Sequence, residues 1–185
     1  VQVRLPGAEH WTSKGEVKLF LWNKVAADPA NTIGTILFVH GSSMASQPTF
    51  DLDVPGRPDS SAMEYFAKRG YDCWCVDMEG YGRSTKDRDN NAPISFGADD
   101  CHAAAQYIHK LRGNNRPLLV YGISSGALRA ALFAERHPEM VDRLALDAHV
   151  WTGEGSPTLA ERRKRLPEFS AKNRRPIDRA FVHSI

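Results

Sequence analysis

The sequence predicts an α/β protein with a mainly parallel sheet and helices on both of its faces. The first observation is a set of short, continuously apolar runs, such as residues 35–39 and 71–76, which are typical of strands covered on both sides. The second is that these runs alternate with segments of helical character, the order that builds βαβ units. The third is the length, because 185 residues can bury one good core, most simply as one domain.

The first part of the chain supplies an outer strand, an inner strand and a helix. Residues 17–25 contain the β-branched and aromatic residues of a strand near a sheet edge, and residues 35–39 form the first fully buried strand. A long loop rich in Pro, Gly and Asp is expected over residues 44–59. Residues 60–69 begin with serine and are amphipathic, so we expect a capped helix there.

The second part of the chain repeats this alternation. A buried strand is expected at residues 71–76, and apolar residues at helical spacing predict a helix over residues 98–112. The apolar run at residues 118–121 is the next strand, and residues 127–134 read as a buried helix. Residues 141–148 supply one more strand, after which the chain becomes more basic and less apolar.

Composition excludes several classes of function. The net charge of +2 gives no case for binding nucleic acid, and no apolar run or leader indicates a membrane, so we expect a cytoplasmic location. Cys73, Cys75 and Cys101 are odd in number and lack the spacing of a metal site, so we expect no metal. Cys73 and Cys75 lie two apart on a predicted strand and are expected in the core.

One stretch carries the chemistry of the chain, Gly122-Ile123-Ser124-Ser125-Gly126. It lies between a predicted strand and a predicted helix, which is the setting of a nucleophile elbow. A serine on such a strained turn projects its Oγ above the sheet, and side chains in place of the flanking glycines would collide with neighbouring backbone. The turn also directs the N–H of Ser125 and the helix dipole at an anion forming on a substrate.

Two further motifs follow the preceding strands. His40-Gly41-Ser42-Ser43 comes after one strand, and Asp77-Met78-Glu79-Gly80-Tyr81-Gly82-Arg83-Ser84 comes after the next. With the serine turn they form three motifs in order at the carboxyl ends of three strands. Over residues 17–148 the chain therefore resembles the α/β-hydrolase fold family, whose D-x-x-G-x-G-x-S pattern the second motif matches at each position.

The resemblance implies a role for each matching residue. Ser124 would be the nucleophile. The oxyanion hole would use the N–H of Ser125 and one N–H from the His-Gly loop, with Ser42 as the first choice and Ser43 as the second. His40 would be a structural residue that shapes its loop. No metal or organic cofactor is implied.

The rest of the catalytic machinery is harder to place. The family order is Ser, then Asp or Glu, then His. Asp147 is a candidate acid because it ends the strand after the elbow helix, whereas His137, His149 and His183 do not fit the expected position of the base. We expect the base, and by the simpler account the acid, on a further segment or second chain that completes the sheet beside residues 141–148.

The domain prediction follows from the same resemblance. Residues 1–150 would be the amino-terminal part of the α/β-hydrolase core, truncated after the family's sixth strand. Residues 151–185 would be the start of a cap or lid. The basic runs at residues 161–166 and 173–176 are expected to be a solvated helix face rather than a phosphate- or carboxylate-binding surface.

The predicted function is a serine hydrolase that cleaves a small carboxylic ester, thioester or lactone through an acyl-enzyme on Ser124. C–C bond hydrolysis, acyl transfer and cofactor-free peroxidation stay open because they use the same scaffold. Two other classes also stay open. One is a receptor-like or non-catalytic ligand-binding protein, and the other is an interaction module that uses the basic runs.

Overall fold

The computed structural model describes residues 4–26, 28–57 and 59–183. Residues 1–3, 27, 58 and 184–185, which the predicted domain ranges include, lie outside the described residues. A six-stranded sheet forms the centre, with the strand order β1-β2-β4-β3-β5-β6. The strands are β1 (Gly7–Lys14), β2 (Val17–Lys24), β3 (Gly34–Val39), β4 (Tyr71–Val76), β5 (Leu118–Ile123) and β6 (Val141–Asp147).

The sheet is mainly parallel, as predicted. Strands β4, β3, β5 and β6 run parallel to one another, while β2 pairs antiparallel with β1 and with β4. The helices are α1 (Ser46–Phe50), α2 (Ala62–Ala67), α3 (Ile94–Arg112), α4 (Ser125–Arg136), α5 (Pro157–Lys164), α6 (Leu166–Ala171) and α7 (Arg179–Val182). Helices α1 and α2 pack on one face, and α3 and α4 on the other, which confirms the predicted fold class.

Each face of the sheet has its own apolar core. Trp74, Leu37 and Phe133 are fully buried on the side of α3 and α4, together with Cys101. Phe38 and Met63 are buried on the side of α1 and α2. The same core holds two further thiols, Cys73 and Cys75, so the expectation that they are core residues is confirmed. Burial raises the pKa of all three thiols.

The parallel strands position the three motifs. Strand β3 lies between β4 and β5, and all three point the same way. Because the carboxyl ends of parallel strands meet at one edge of a sheet, the loops that begin at His40, Asp77 and Ser124 are neighbours. The candidate site therefore lies at this edge, above the centre of the sheet.

Two elements differ from the prediction. Strand β1 (Gly7–Lys14) was not predicted; it forms a hairpin with β2 and leaves Trp11 46% exposed. The predicted loop over residues 44–59 is wrong in one part, because Ser46–Phe50 is a short helix whose Phe50 is buried. The helix expected at residues 60–69 is present as α2, and the Ser61 side chain caps it by accepting a hydrogen bond from the Glu64 N–H at 2.9 Å.

Strand β6 has one unpaired edge in the described part of the chain. It pairs only with β5, and Leu144 and Leu146 are each 38% exposed. Beyond it, helices α5 to α7 are short and bury none of their residues. Within the described ranges no helix combines the length and the apolarity that crossing a membrane requires.

Candidate active site

The serine turn has the geometry of a nucleophile elbow. Ser124 stands between β5 and α4 with φ 58° and ψ −124°, a backbone conformation that L residues rarely adopt, and its side chain is exposed. A Cβ on Gly122 would lie 2.5 Å from the Gly126 carbonyl oxygen, and one on Gly126 would lie 2.3 Å from the Val39 carbonyl oxygen. Both glycines are therefore required sterically, because the helix passes directly over the strands.

The predicted oxyanion groups lie beside this turn. Ser125 is the first residue of α4, so its N–H has no acceptor within the helix. A Cβ on Gly41 would be 3.2 Å from the Ser124 Cβ and 3.7 Å from its Oγ, which places the His-Gly loop against the elbow. Ser42 and Ser43 continue that loop, and Ser43 has a φ of 80°. The structure thus brings these residues together, while their catalytic roles stay predictions.

His40 is fully buried, and both of its ring nitrogens are occupied. Its Nδ1 lies 2.6 Å from the Gly41 carbonyl oxygen, and its Nε2 accepts a hydrogen bond from the Met78 N–H at 3.0 Å. Nδ1 must then carry the proton, as a neutral imidazole has one donor and one acceptor. Burial and, second, the Arg129 charge lower the pKa of His40 to about 4. This arrangement favours the structural role, because His40 has no nitrogen left for a substrate.

The aspartate motif ties the neighbouring loops together. Asp77 Oδ1 accepts hydrogen bonds from the Ser46 N–H at 2.8 Å and from its hydroxyl at 2.6 Å. Its Oδ2 accepts from the Arg83 N–H at 2.8 Å, and a Cβ on Gly82 would lie 2.0 Å from that oxygen. The glycine is thus needed so that the loop can close on the carboxylate. The Asp77 carboxylate thus holds together the loops that surround the site.

Arg129 was missed by the sequence analysis. It lies on α4, is 6% exposed, and donates from Nη1 to the His40 carbonyl oxygen at 3.0 Å. On α3, a Cβ at Gly97 would lie 2.4 Å from the Arg129 Cδ, so the glycine makes room for this side chain. A charged residue among the apolar residues of the elbow helix was the available signal. This hydrogen bond attaches the start of the His-Gly loop, residues 40–43, to the elbow helix.

Asp147 lies next to the elbow, but its carboxylate is engaged. Its carbonyl oxygen accepts the Ser124 N–H at 2.9 Å, and its Oδ2 accepts the Tyr121 hydroxyl at 2.6 Å. Burial, the larger cause, and the hydrogen bond to the Asp147 carboxylate, the smaller one, together raise the pKa of Tyr121 to about 12. Tyr121 was not singled out in the sequence, because it reads simply as part of an apolar strand.

The three histidines that follow Ser124 are not arranged as a base. His137 follows the end of α4 and stacks on His102, about 18 Å along the helix from Ser124. His149 packs near Trp151, and His183 contacts Arg179. Across the described residues, no histidine nitrogen makes a hydrogen bond to the Ser124 Oγ. In the same residues, no group of three His, Cys, Asp or Glu side chains could hold a metal ion.

A cleft of about 1030 Å³ opens from the His-Gly loop toward helices α5 to α7. Ser42 and Ser43 form one end of it, and Tyr81 lies in its wall. Seven cationic side chains and a single carboxylate, Glu79, are among its lining residues. Two of the cations, Lys86 and Arg88, follow the aspartate motif. The other five lie in the C-terminal helical segment, by which we mean residues 157–182 with α5 to α7 and their connections: Arg162, Arg165, Lys172, Arg174 and Arg175. We call this space the basic cleft.

A mainly parallel α/β sheet with a strained serine turn between strand β5 and helix α4 is the arrangement of an α/β hydrolase. Residues 31–164 match the family model described as serine aminopeptidase, S33, which covers most of the chain. The chain therefore belongs to this family of hydrolases, and the resemblance predicted from the three motifs is confirmed. No curated protein matches the chain.

Solved structures share the fold at low sequence identity. A bacterial membrane phospholipase A described as a virulence factor superposes with a TM-score of 0.63, at 23% identity, over 94% of this chain and 55% of that one. The epoxide hydrolase VrEH1 from Vigna radiata gives 0.62, at 15% identity, over 85% and 46%. The thioesterase domain of the curacin biosynthetic pathway gives 0.60, at 21% identity, over 94% and 57%. The chain thus spans about half the length of these proteins.

Proposed function

We propose that the protein is a serine hydrolase that cleaves a carboxylic ester, thioester or lactone through an acyl-enzyme on Ser124. The observation that carries the proposal is the backbone of Ser124, whose φ of 58° holds the side chain exposed above the sheet. Strain of this kind costs about 1–3 kcal/mol and persists only where the surrounding structure enforces it. Here Gly122 and Gly126 allow the close packing that enforces it.

The proposed reaction has two steps. Ser124 Oγ attacks the acyl carbon, its proton passes to a histidine base, and the leaving group departs with that proton. Water then attacks the acyl carbon and gives a proton to the base, the carboxylic acid is released, and the proton returns to Ser124 Oγ. The N–H groups of Ser125 and Ser42 would bind the oxyanion, and one such donor is worth about 3 kcal/mol of transition-state stabilisation.

The base, and with it the acid, is proposed to come from a further segment, either continuous with this chain or a separate polypeptide. The unpaired edge of β6 supports this, since Leu144 and Leu146 are exposed there and folded proteins avoid long apolar edges. The segment would add parallel strands beside β6 and bring a histidine within about 2.6–3.2 Å of Ser124 Oγ. A monomer of this chain that hydrolyses esters unaided would contradict this part of the proposal. An intact mass and the oligomeric state of active material decide it.

An aminopeptidase, the activity in the family description, is less well supported by the charges. An aminopeptidase must hold the positive α-ammonium group of its substrate. The carboxylate in the basic cleft, Glu79, is already paired with Lys14 and Arg88 at 3.3 and 2.7 Å. The surrounding cations would repel an ammonium group, so an acyl substrate without one is favoured.

Labelling with a fluorophosphonate tests the nucleophile. We expect the whole protein to be labelled at Ser124, and Ser124→Ala to lose both labelling and turnover of a p-nitrophenyl ester while the fold is kept. Ser13→Ala is the matched control, because Ser13 is an exposed serine of β1. Wild-type turnover in Ser124→Ala would refute the proposal, and a folded protein that binds acyl ligands without labelling would favour the receptor-like alternative.

A further inference from the structure

We propose that the basic cleft binds the non-reacting end of an acyl substrate that carries two or more phosphate groups. This rests on the proposed function, because it assigns the substrate class of the same site. The charge of the cleft is the first observation. Its lining holds seven cations and one carboxylate, although the whole chain has a net charge of only +2.

Most of these cations form no ion pair with a carboxylate of the described residues, although Glu168 attracts Lys172 and Arg175 at longer range. Arg88 pairs with Glu79, and Arg165 pairs with Glu168 at 2.8 Å. For the other five, no carboxylate among the described residues lies within ion-pair distance. These five are Lys86, Arg162, Lys172, Arg174 and Arg175. Like charges gathered in one concave space raise its potential and concentrate anions there.

The basic runs are solvent-exposed, as expected from the sequence, and parts of both also line the cleft. Within the first basic run, Arg162 and Arg165 line the cleft, whereas Arg163 and Lys164 do not. Within the second, Arg174 donates to the Arg88 carbonyl oxygen at 2.9 Å, which attaches the C-terminal helical segment to the loop after the aspartate motif. Two basic runs that are separate in sequence therefore share a wall of one cleft.

The position of the cleft connects it to the proposed chemistry. Gly41 packs against Ser124, and the next two residues, Ser42 and Ser43, form the end of the cleft. An acyl group held at Ser124 would thus extend its remote part toward the cations. The volume of about 1030 Å³ exceeds what a simple ester needs and suits a nucleotide-sized group. Arginine and lysine are the residues that bind phosphate, arginine through paired N–H donors.

Coenzyme A and pantetheine form a matched pair of probes, because they share the thiol arm and only coenzyme A carries the phosphorylated nucleotide. Their binding is measured by calorimetry on the whole protein with the Ser124→Ala substitution, at low and high salt. We expect coenzyme A to bind at least about tenfold more tightly than pantetheine, since one charge-assisted contact corresponds to about that factor. High salt should remove most of the difference.

Two double variants test whether coenzyme A binds in the basic cleft. Arg162→Gln with Lys172→Gln removes two cleft charges and should weaken coenzyme A binding at least about tenfold. Arg163→Gln with Lys164→Gln removes two charges from the same segment outside the cleft, and should change the affinity by less than about threefold. Equal melting temperatures of the two variants would show that both are folded.

Three results would overturn the proposal: equal affinity for both probes, an equal loss in both double variants, or binding to phosphatidylglycerol vesicles without binding to coenzyme A. The last result would assign the cations to a lipid headgroup instead. Fluorophosphonate labelling of the wild-type protein separates this outcome from a failure of the proposed function. A labelled protein that ignores coenzyme A is a serine hydrolase with a different substrate.

Discussion

The backbone at position 124 is strained, so we expect the protein to be more stable with glycine there than with a residue that has a side chain. Its φ of 58° and ψ of −124° are those of the first central residue of a type II′ turn, a position that glycine dominates. We therefore expect Ser124→Gly to have a higher free energy of unfolding than Ser124→Ala. Both variants lose the hydroxyl, so the comparison isolates the backbone.

The expected difference follows from two opposing contributions. Relief of the strain stabilises the folded state by about 1–3 kcal/mol. Glycine also increases the entropy of the unfolded chain, which removes about 0.4–1 kcal/mol of that gain. The net advantage of Ser124→Gly is then about 1 kcal/mol, or about 2–4 °C in Tm for a domain of this size.

Urea unfolding followed by circular dichroism and tryptophan fluorescence measures this difference. The matched pair is Ser125→Gly and Ser125→Ala, because Ser125 lies in α4 with ordinary helical backbone and glycine should be no more stable than alanine there. Two results would refute this reasoning. One is equal free energies of unfolding for Ser124→Gly and Ser124→Ala. The other is an equal advantage of glycine over alanine at position 125, because the effect would then not come from the positive φ of residue 124.

Three further outcomes are expected. Gly126→Ala should lower the free energy of unfolding by about 1–3 kcal/mol, because its Cβ would lie 2.3 Å from the Val39 carbonyl oxygen. It should also reduce fluorophosphonate labelling of Ser124. Unchanged stability in denaturant would contradict the steric requirement for glycine at this position. The pKa of His40 is lowered from 6.5 to about 4 in the folded state, so the unfolded chain takes up the proton first. Stability is then full above pH 6.5 and falls by about 3 kcal/mol toward pH 4, and His40→Gln should lack this slope in unfolding measured against pH. Asp147→Asn should lower ester turnover by less than about tenfold, since its carboxylate already accepts the Tyr121 hydroxyl; a loss near four orders of magnitude would make Asp147 the acid of the triad.

The buried strands and the site loops could be predicted because their patterns have direct physical causes. Residues 36–39 of strand β3 are all apolar and buried since helices cover both faces of the sheet, and the glycines of the elbow are required where α4 crosses the strands. Strand β1 could not be predicted in this way. Its sequence, GAEHWTSK, shows little apolar alternation, and backbone pairing with β2 rather than burial defines it.

The parts of the site that depend on tertiary contacts could not be read from the sequence. Arg129 stands out as a charged residue in a helix predicted to be buried, but its partner, the His40 carbonyl oxygen, is known only from the fold. Tyr121 reads as a strand residue until β6 brings Asp147 beside it. The basic cleft needs residues from two distant parts of the chain, such as Lys86 and Arg162, so no local pattern predicts it.

The buried thiols provide a built-in reporter of how the molecule opens. A thiol whose pKa is raised by burial is inert to alkylating reagents until water reaches it. Cys73 and Cys75 lie under α1 and α2, whereas Cys101 is a residue of α3 that is buried in the core on the opposite face of the sheet. Timed alkylation followed by peptide mass mapping would therefore record the opening of the two faces separately, with no label added and no residue changed.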